Sequence, residues 1–352
     1  MGSDITGQHT SSPAEAPIHI VLQMILGHHV SAIVAATARF GIADHLASGP
    51  GTAAQLAQAT GADHIGMLRL LRAAGSLGLL DELADETFAI NSLSDCLRRG
   101  PRSLRDMAIA ASEPIHWRTT AHLADAVLKN RAVATDVLGT NAWEYRDAHP
   151  EGRLATSERL VDIEEVILPA LRRAVDLERY QRIVVIGDSR GRLLSALLRL
   201  APRAKGVLFD RPAPVAQHAR AMIDAAGLSD RVTVVGGDFL QKVPPGGDLY
   251  ILKGVLHDCD DDSASWLLDS CYMAALPGST LVAFEGFLRN EPPHDPVVHL
   301  IDINSLLTVS GRERTIEEFE ELFNNAGYEL VSTEPLPEVT YRPFAMLQGR
   351  RS

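Results

Sequence analysis

The sequence predicts an α/β protein in which a Rossmann-like, mostly parallel, doubly wound sheet follows a helical, winged-helix-like front end. Three observations lead to this prediction. From Ile183 onward, short β-branched strands alternate with helical segments of about ten or more residues. Before that, apolar residues recur at helical spacing. The stretch IVVIGDSRGRLL then joins a strand to a helix through a glycine-rich turn, where nucleotide-like cofactors bind.

Composition restricts the class of protein. The chain has 352 residues, of which 46% are hydrophobic and 22% are charged, as in a globular protein with room for two domains. Its net charge of −12 argues against a nucleic-acid binder, which needs a basic face. No apolar run reaches the roughly 18 to 20 residues that span a bilayer. Three cysteines without a CxxC pair suit reduced thiols. We expect a cytoplasmic protein that binds no nucleic acid, membrane or metal.

The front end follows a winged-helix pattern: a short helix, a turn at Gly61, a longer helix and an extended piece. A DNA-binding head and a dimerisation module both use this packing. The longer helix offers only Arg69 and Arg72 as basic residues, beside leucines, so dimerisation is favoured. The expected divisions are a disordered leader (1–17), the helical dimerisation domain (18–105), a helical linker with pocket helices (106–182) and the Rossmann-like domain (183–352).

Polar side chains follow the carboxyl ends of successive predicted strands, where a doubly wound sheet has its site. Asp210 comes about 20 residues after the glycine turn, where a carboxylate can accept hydrogen bonds from ribose hydroxyls. Asp238 and Phe239, at the next strand end, could meet an adenine. The complete set is Gly187, Asp188, Gly191, Asp210, Asp238, Phe239, Lys253, His257 and Glu285, with Glu313 at a later helix start.

Each of these residues also has a purely structural interpretation. Asp210 and Asp238 could equally be turn residues. Glu313 precedes the capping-box pattern TIEE and could favour a helix N-terminus. Glu285 ends an apolar run, where an unpaired carboxylate is expensive, so it needs a partner that His257 could supply. A histidine oriented by a carboxylate is a general base near neutral pH.

The segments LKGVLHDCDDD, PGSTLVAFEGFL and SGRERTIEEFEELFNNAGYEL, with the helical front end, resemble the O-methyltransferase family of plant caffeate-type and bacterial polyketide tailoring enzymes. The resemblance runs from about Ile18 to Gly349. It implies a homodimer with an intertwined helical N-terminal domain and a Rossmann-like domain that binds S-adenosylmethionine (SAM).

By the same resemblance, His257 is the general base that deprotonates a phenol, and Glu285 and Glu313 are the acidic residues that hold it. The positions implied for SAM are Asp210 at the ribose, Asp238 and Phe239 near the adenine, and Lys253. The pocket wall is expected between about Met107 and Leu168. The candidates for contacting a substrate are His116, Trp117, Trp143 and Asp302, although tryptophan at helical spacing is more often part of a core.

The sequence departs from the family at the SAM site. The family loop reads roughly DVGGGxG, and the matching residues here are VIGDSRG, with Asp188 and Ser189 in place of two glycines. Added side chains take up space, and the Asp188 carboxylate is expected to repel that of the cofactor. In addition, Cys259 replaces the tryptophan of the family's HDW, and Arg211 replaces the leucine of DLP. The loop therefore looks degenerate.

These features lead to a hypothesis about function. We expect a natural-product tailoring enzyme of antibiotic biosynthesis, acting on an aromatic polyketide through His257 acid–base chemistry. Its reaction would be SAM-independent: addition, rearrangement, or coupling of the small aromatic substrate with a second small-molecule nucleophile, such as a nitrogen compound. No cofactor would then be needed. The alternative is an active SAM-dependent O-methyltransferase that acts on a phenolic hydroxyl. A catalytically silent subunit is disfavoured by the retained acid–base residues.

Overall fold

The computed structural model describes residues 16–100, 103–149, 166–188, 191–210, 214–292, 295–339 and 342–351. The chain divides into two compact units, Met1–Glu113 and Pro114–Ser352. Residues 1–15 of the predicted leader lie outside the described residues, and Ala16 already begins the first helix.

The first unit combines helices with a small antiparallel sheet in the strand order β1-β3-β2, which is the predicted winged-helix arrangement. Within the described part, its helices are α1 (Ala16–Ile25), α2 (Gly27–Phe40), α3 (Ile42–His45), α4 (Ala53–Thr60), α5 (His64–Ser76), α6 (Ser92–Asp95) and α7 (Arg105–Ala111), and its strands are β1 (Gly51–Thr52), β2 (Asp81–Glu82) and β3 (Thr87–Ala89).

Local sequence signals explain the helix ends of this unit. α2 ends at Gly41, whose φ of 64° is left-handed, a conformation that glycine adopts without cost. α4 begins with a capping box between Thr52 and Gln55, and Asp63 caps α5. α7 packs on α2, so the compact unit extends to Glu113, beyond the boundary at 105 expected from the sequence.

α1 exposes an apolar face. Ile18 is 72% and Met24 is 73% exposed, and Val21 and Ile25 are also exposed. Within the described residues, no single helix is long and apolar enough to cross a bilayer. The segments Pro17–Ile25 and Gly27–Phe40 meet the length and composition criteria only jointly, as a pair bent by 54°.

The second unit begins with helices and continues as an alternation of strands and helices. The helices before the sheet, as far as they are described, are α8 (Pro114–Thr120), α9 (Leu123–Lys129), α10 (Ala134–Leu138), α11 (Ala142–Ala148) and α12 (Leu168–Ala174). The following elements are β4 (Arg182–Ile186), α13 (Arg192–Leu200), β5 (Lys205–Asp210), α14 (Pro214–Ala225), β6 (Val232–Gly236), β7 (Leu249–Lys253), α15 (Asp261–Ala274), β8 (Thr280–Leu288), α16 (Pro296–Thr308), β9 (Arg314–Thr315), α17 (Ile316–Asn325), β10 (Tyr328–Pro335) and β11 (Phe344–Arg351).

The main sheet has the strand order β10-β11-β8-β7-β4-β5-β6. β4 to β8 pair in parallel, whereas β11 is antiparallel to both β8 and β10. The predicted Rossmann-like, mostly parallel sheet is therefore confirmed. The order changes direction at β4, so the loop after β4 opens into the crevice where such sheets bind ligands.

Burial on both faces accounts for the near-continuous apolar strands. Alternate residues of β4 enter opposite cores: Val185 packs with Ile251 and Val282, and Val184 packs with Tyr250 and Leu252. The short strand β9 pairs with the end of β8, where Phe287 lies opposite Arg314. This pairing brings the chain that precedes β9 to the carboxyl edge of the sheet.

All three cysteines lie in the described segments and carry unbridged thiols. Cys96 is exposed, whereas Cys259 and Cys271 are buried. Burial raises the pKa of both buried thiols far above the ordinary value.

Candidate active site

His257 lies on a short 3₁₀ turn, Leu256–Asp258, that follows β7 directly. Its side chain is 14% exposed. The turn lies at the carboxyl edge of the sheet, beside the end of β8, and contacts with β8 and with residues 311–314 hold it in place.

Glu285 of β8 supports the backbone that leads into this turn. Its carboxylate is fully buried, and Oε1 accepts hydrogen bonds from the N–H groups of Val255, at 2.9 Å, and Leu256, at 2.8 Å. The sequence suggested that the His257 side chain would be the partner of Glu285; the partners are instead backbone groups. The reason is the parallel register of β7 and β8, which places Glu285 one residue beyond the Lys253–Phe284 pair.

Glu313 contacts the imidazole itself. Its Oε1 lies 3.0 Å from His257 Nδ1, and its side chain is fully buried. Because an ionised carboxylate only accepts hydrogen bonds, Nδ1 donates and the lone pair of Nε2 points away from Glu313. The capping box of α17 is formed by Thr315 and Glu318, so it does not involve Glu313.

Two residues within two positions of Glu313 also fix the turn, and sequence reasoning did not single them out. Arg314 is fully buried and donates to the backbone oxygens of Leu256, at 2.7 Å, and Cys259, at 2.9 Å. Gly311 packs so tightly that a Cβ there would lie 2.2 Å from the backbone oxygen of His257. Both belong to the quoted segment SGRER, but nothing local indicates that this arginine points inward.

A third residue that the sequence did not indicate is Arg342. Its Nη1 donates to Glu313 Oε1 at 3.0 Å, and the residue is only 4% exposed. Glu313 therefore lies between an imidazole and a guanidinium.

Charge around His257 favours the imidazolium. Burial alone would lower its pKa, but Asp258, Glu313 and Glu285 outweigh burial and raise the pKa of His257 to about 9. Asp258 Oδ1 lies 3.8 Å from Nε2. For Glu313 burial opposes ionisation, yet its contacts with His257 and Arg342 lower the pKa of its carboxyl. Burial raises the pKa of Glu285.

The loop after β4 differs from the sequence expectation at Asp188. Asp188 is 4% exposed, and its Oδ2 accepts a hydrogen bond from the N–H of Leu194, at 2.9 Å, in the first turn of α13. A carboxylate at a helix N-terminus is favourable, because it satisfies an orphan donor and meets the positive end of the helix dipole. This oxygen is thus engaged by the protein's own backbone. Ser189, Arg190 and Arg211 lie outside the described residues.

The glycines that flank this loop have specific roles. Gly187 has a φ of 83°, and a Cβ there would lie 2.5 Å from a methyl group of Val255. Gly191 has a φ of 68° and is the N-cap of α13. The first glycine therefore allows the loop to pack against the segment leading to His257, and the second starts the helix.

The other residues predicted for the cofactor lie at neighbouring strand ends of the same sheet. Asp210 ends β5 and is half-buried, and Lys253 ends β7 and is buried. Asp238 follows β6, where its carboxylate accepts from the Leu240 N–H, at 2.9 Å, and from the Gln241 side chain, at 3.2 Å. Asp238 is thus a turn residue in this structure. Phe239, next to it, is half-buried.

The residues predicted to contact a substrate fall into two groups. Asp302 of α16 belongs to the His257 network, because its Oδ1 accepts the Glu313 N–H at 2.8 Å. His116 of α8 instead bonds Asn304 through Nδ1 at 2.9 Å, and burial, together with the positive charge of Arg146, lowers its pKa. The Arg146 guanidinium lies 4.9 Å from the ring centroid of Trp143. Trp117, on α8, is half-buried.

In the described part of the chain, no group of three or more histidine, cysteine or acidic side chains could hold a metal ion. The chemistry that the site can perform is proton transfer at His257. An aspartate at the end of β5 and a glycine turn at the end of β4 are groups suited to a ribose-containing cofactor.

Comparison with known families gives two matches. Residues 120–329 match the model of an O-methyltransferase domain, and residues 22–100 match that of an O-methyltransferase dimerisation domain.

Individual relatives are similar over nearly their whole length. The phenazine O-methyltransferase PhzM of Lysobacter antibioticus is 35% identical over 90% of this chain and 92% of its own. The structure of the mitomycin 7-O-methyltransferase MmcR has a TM-score of 0.85 at 30% identity, covering 96% of this chain and 99% of its own. The SAH-bound form of CalO1, a methyltransferase in calicheamicin biosynthesis, has a TM-score of 0.76 at 27% identity, covering 97% and 100%.

Proposed function

We propose, since this chain belongs to the O-methyltransferase family, that it transfers a methyl group from SAM to a phenolic hydroxyl of a small aromatic natural product. The arrangement that best supports this reaction is His257, whose Nδ1 bonds Glu313 while the lone pair of Nε2 remains directed elsewhere. The relatives are natural-product tailoring methyltransferases, which favours the SAM-dependent alternative over the SAM-independent reaction expected from the loop. They give no support to a second small-molecule nucleophile.

The residues of the cofactor site fit SAM. The Asp188 oxygen that bonds the Leu194 N–H is held by α13, which weakens the argument that this side chain repels the cofactor. Gly187, Gly191 and Lys253 would border the cofactor, and Asp210 would accept hydrogen bonds from its ribose. When bound, SAM supplies an electrophilic methyl group on a positively charged sulfur.

His257 would act as the general base. Its Nε2 accepts the proton of the phenolic hydroxyl, and Glu313 stabilises the resulting imidazolium through Nδ1–H. Glu285 and Arg314 fix the backbone on both sides of the histidine, so that Nε2 keeps its position. A positioned base contributes about 10²–10⁴-fold to the rate.

We also propose a homodimer. The first unit matches a dimerisation domain, and the apolar face of α1, with Ile18, Val21 and Met24, is exposed in the single chain. Several exposed apolar side chains on one helix are typical of a surface that a partner covers.

The proposed function is tested by calorimetric titration with SAM, followed by a methylation assay on a panel of phenolic aromatic compounds. The native protein is compared with Asp188→Gly, which restores the residue usual in the family. We expect the native protein to bind SAM at micromolar strength or better and to form methylated product. The variant is expected to bind within about tenfold of the native protein, since Asp188 already bonds α13.

Two outcomes would contradict this expectation. If only Asp188→Gly bound SAM, Asp188 would be the obstacle that the sequence suggested. If neither protein bound SAM while both remained folded, methyl transfer would be excluded.

The pH dependence of the reaction follows from the charge around the base. Only neutral His257 accepts a proton, and its pKa is raised to about 9. We therefore expect kcat/KM to rise about tenfold per pH unit between pH 7 and 8.5 and to level off above pH 9. The measurement uses a substrate whose hydroxyl stays protonated up to pH 10. In His257→Gln, kcat/KM should not show this rise with pH. A native kcat/KM that does not change from pH 7 to 9 would refute the assignment of His257 as the general base.

A further inference from the structure

Arg342 is in contact with the acidic residue that holds the base. The same carboxylate oxygen of Glu313 accepts from Arg342 Nη1, at 3.0 Å, and lies 3.0 Å from His257 Nδ1. Arg342 and Glu313 are almost completely buried. Removing one partner from a buried ion pair leaves the other charge uncompensated, so these contacts act as a unit.

The absence of a side chain at Gly286 of β8 leaves space for this ion pair beside the sheet. Gly286 of β8 lies opposite Phe344 of β11 in the antiparallel register. A Cβ on Gly286 would lie 2.7 Å from the guanidinium carbon of Arg342 and 2.9 Å from Glu313 Oε2. The guanidinium carbon also lies 5.5 Å from the ring centroid of Phe344. Space for the guanidinium and the carboxylate therefore depends on a glycine at this strand position.

We propose that Arg342 is a positioning residue: through Glu313 it keeps the proton of neutral His257 on Nδ1, and it leaves Nε2 able to accept the substrate proton. The proton acceptance rests on the proposed function, whereas the effect on His257 is a property of the protein alone. Arg342 acts on the base by holding Glu313 as a carboxylate and by balancing its negative charge.

The balance of charge explains why one cation matters here. Each carboxylate near His257 favours the imidazolium, whereas each guanidinium favours the neutral imidazole that a base requires. The charged groups that face His257 or its immediate partners are Asp258 on the same turn, Glu285 of β8, Asp302 of α16, Glu313, Arg314 of β9 and Arg342. Removal of the Arg342 charge should raise the pKa of His257 by about one unit or more.

The experiment compares Arg342→Met, which removes the charge, with Arg342→Lys, which keeps it. Arg350→Met is the matched control, because Arg350 lies on β11, is exposed and pairs with Glu329 at the surface. Titration of histidine-labelled protein by NMR gives the pKa of His257 directly, and the signal is identified by its loss in His257→Gln. The pH profile of methyl transfer is the second readout.

We expect Arg342→Met to shift the His257 titration and the rising limb of kcat/KM upward by about one pH unit. At pH 7.5 the rate would fall about tenfold and would recover at high pH. Arg342→Lys should shift both by less than half as much, and Arg350→Met should shift neither.

An unchanged His257 titration in Arg342→Met, with a rate lowered equally at every pH, would overturn the proposal and leave Arg342 a purely structural role. If Arg342→Met does not fold, Arg342→Gln removes the charge with a polar side chain, and the same two outcomes apply. The NMR titration shows whether Arg342 affects the pKa of His257 even if the native protein transfers no methyl group. A failure of the proposed function can therefore be distinguished from a failure of the proposal on Arg342.

Discussion

Replacing His257 with alanine is expected to lower kcat for methyl transfer by about 10²–10⁴-fold, the contribution of a positioned general base. His257→Gln is the sharper variant. A glutamine amide can still donate a hydrogen bond to Glu313, but it cannot accept a proton at neutral pH. Both variants should remain folded, because Glu313 keeps its contact with Arg342. The measurement is single-turnover methyl transfer at saturating SAM and substrate, together with thermal unfolding.

His122→Ala is the control for this prediction, since His122 is exposed on the segment before α9, where it pairs with Asp125. Its kcat should equal that of the native protein. If His257→Gln kept more than about a tenth of the native kcat, proton acceptance by His257 would not be the basis of the reaction.

Gly311→Ala is expected to cost about 10²-fold in kcat, comparable to the effect of displacing a catalytic group by about 1 Å. The added Cβ would lie 2.2 Å from the backbone oxygen of His257 and 2.6 Å from the backbone carbon of Asp258. Both are main-chain atoms, so no rotamer change relieves the clash, and the turn that carries the base must move. Overpacking of this kind also destabilises a protein by about 1–3 kcal/mol.

Gly66→Ala provides the matched control, because it makes the same substitution in α5, where the nearest atoms lie 3.8 Å from the new Cβ. This variant should be as active as the native protein and at least as stable, because alanine has a higher helix propensity than glycine. Kinetics at several temperatures, together with denaturant unfolding, distinguish the two effects. A fully active Gly311→Ala protein would mean that the position of His257 tolerates movement of its backbone.

Much of the second unit could be predicted because its signals are local. The strands β4, β5, β7 and β8 are short β-branched or apolar runs that polar or glycine residues follow or end, and both of their faces are covered, so the runs are nearly continuous. Parallel strands place their carboxyl ends at one edge. For this reason the sequence alone predicts that His257 and Glu285, separated by 28 positions in the chain, lie close together.

The supporting residues could not be predicted because their roles depend on distant pairings. Arg342 reaches Glu313 only because β11 pairs with β8, and Arg314 reaches the His257 turn only because β9 pairs with the end of β8. Neither strand pairing can be predicted from the hydrophobic pattern of the segments involved. The direction of a side chain is also absent from the sequence: Asp188 was expected to point its carboxylate at the cofactor, whereas one of its oxygens bonds α13.

The boundary of the first unit also depends on a contact between segments that are distant in the sequence. α7 has the helical pattern of the segments that follow it, and only its packing on α2, more than 60 positions earlier, assigns it to the first unit. Periodicity identifies a helix but does not identify its neighbour.

The three thiols differ in solvent accessibility, so the rate at which each reacts with a thiol reagent measures how often the structure around it opens. Cys96 is available to a thiol reagent in the native protein, so a label enters there first. Cys259 lies in the segment that carries His257, where its Sγ contacts the Val255 backbone oxygen at 3.5 Å. Cys271, inside α15, is completely buried. The slower labelling of Cys259 and Cys271 therefore reports how often the catalytic turn and the sheet core open, and it requires no substitution in the protein.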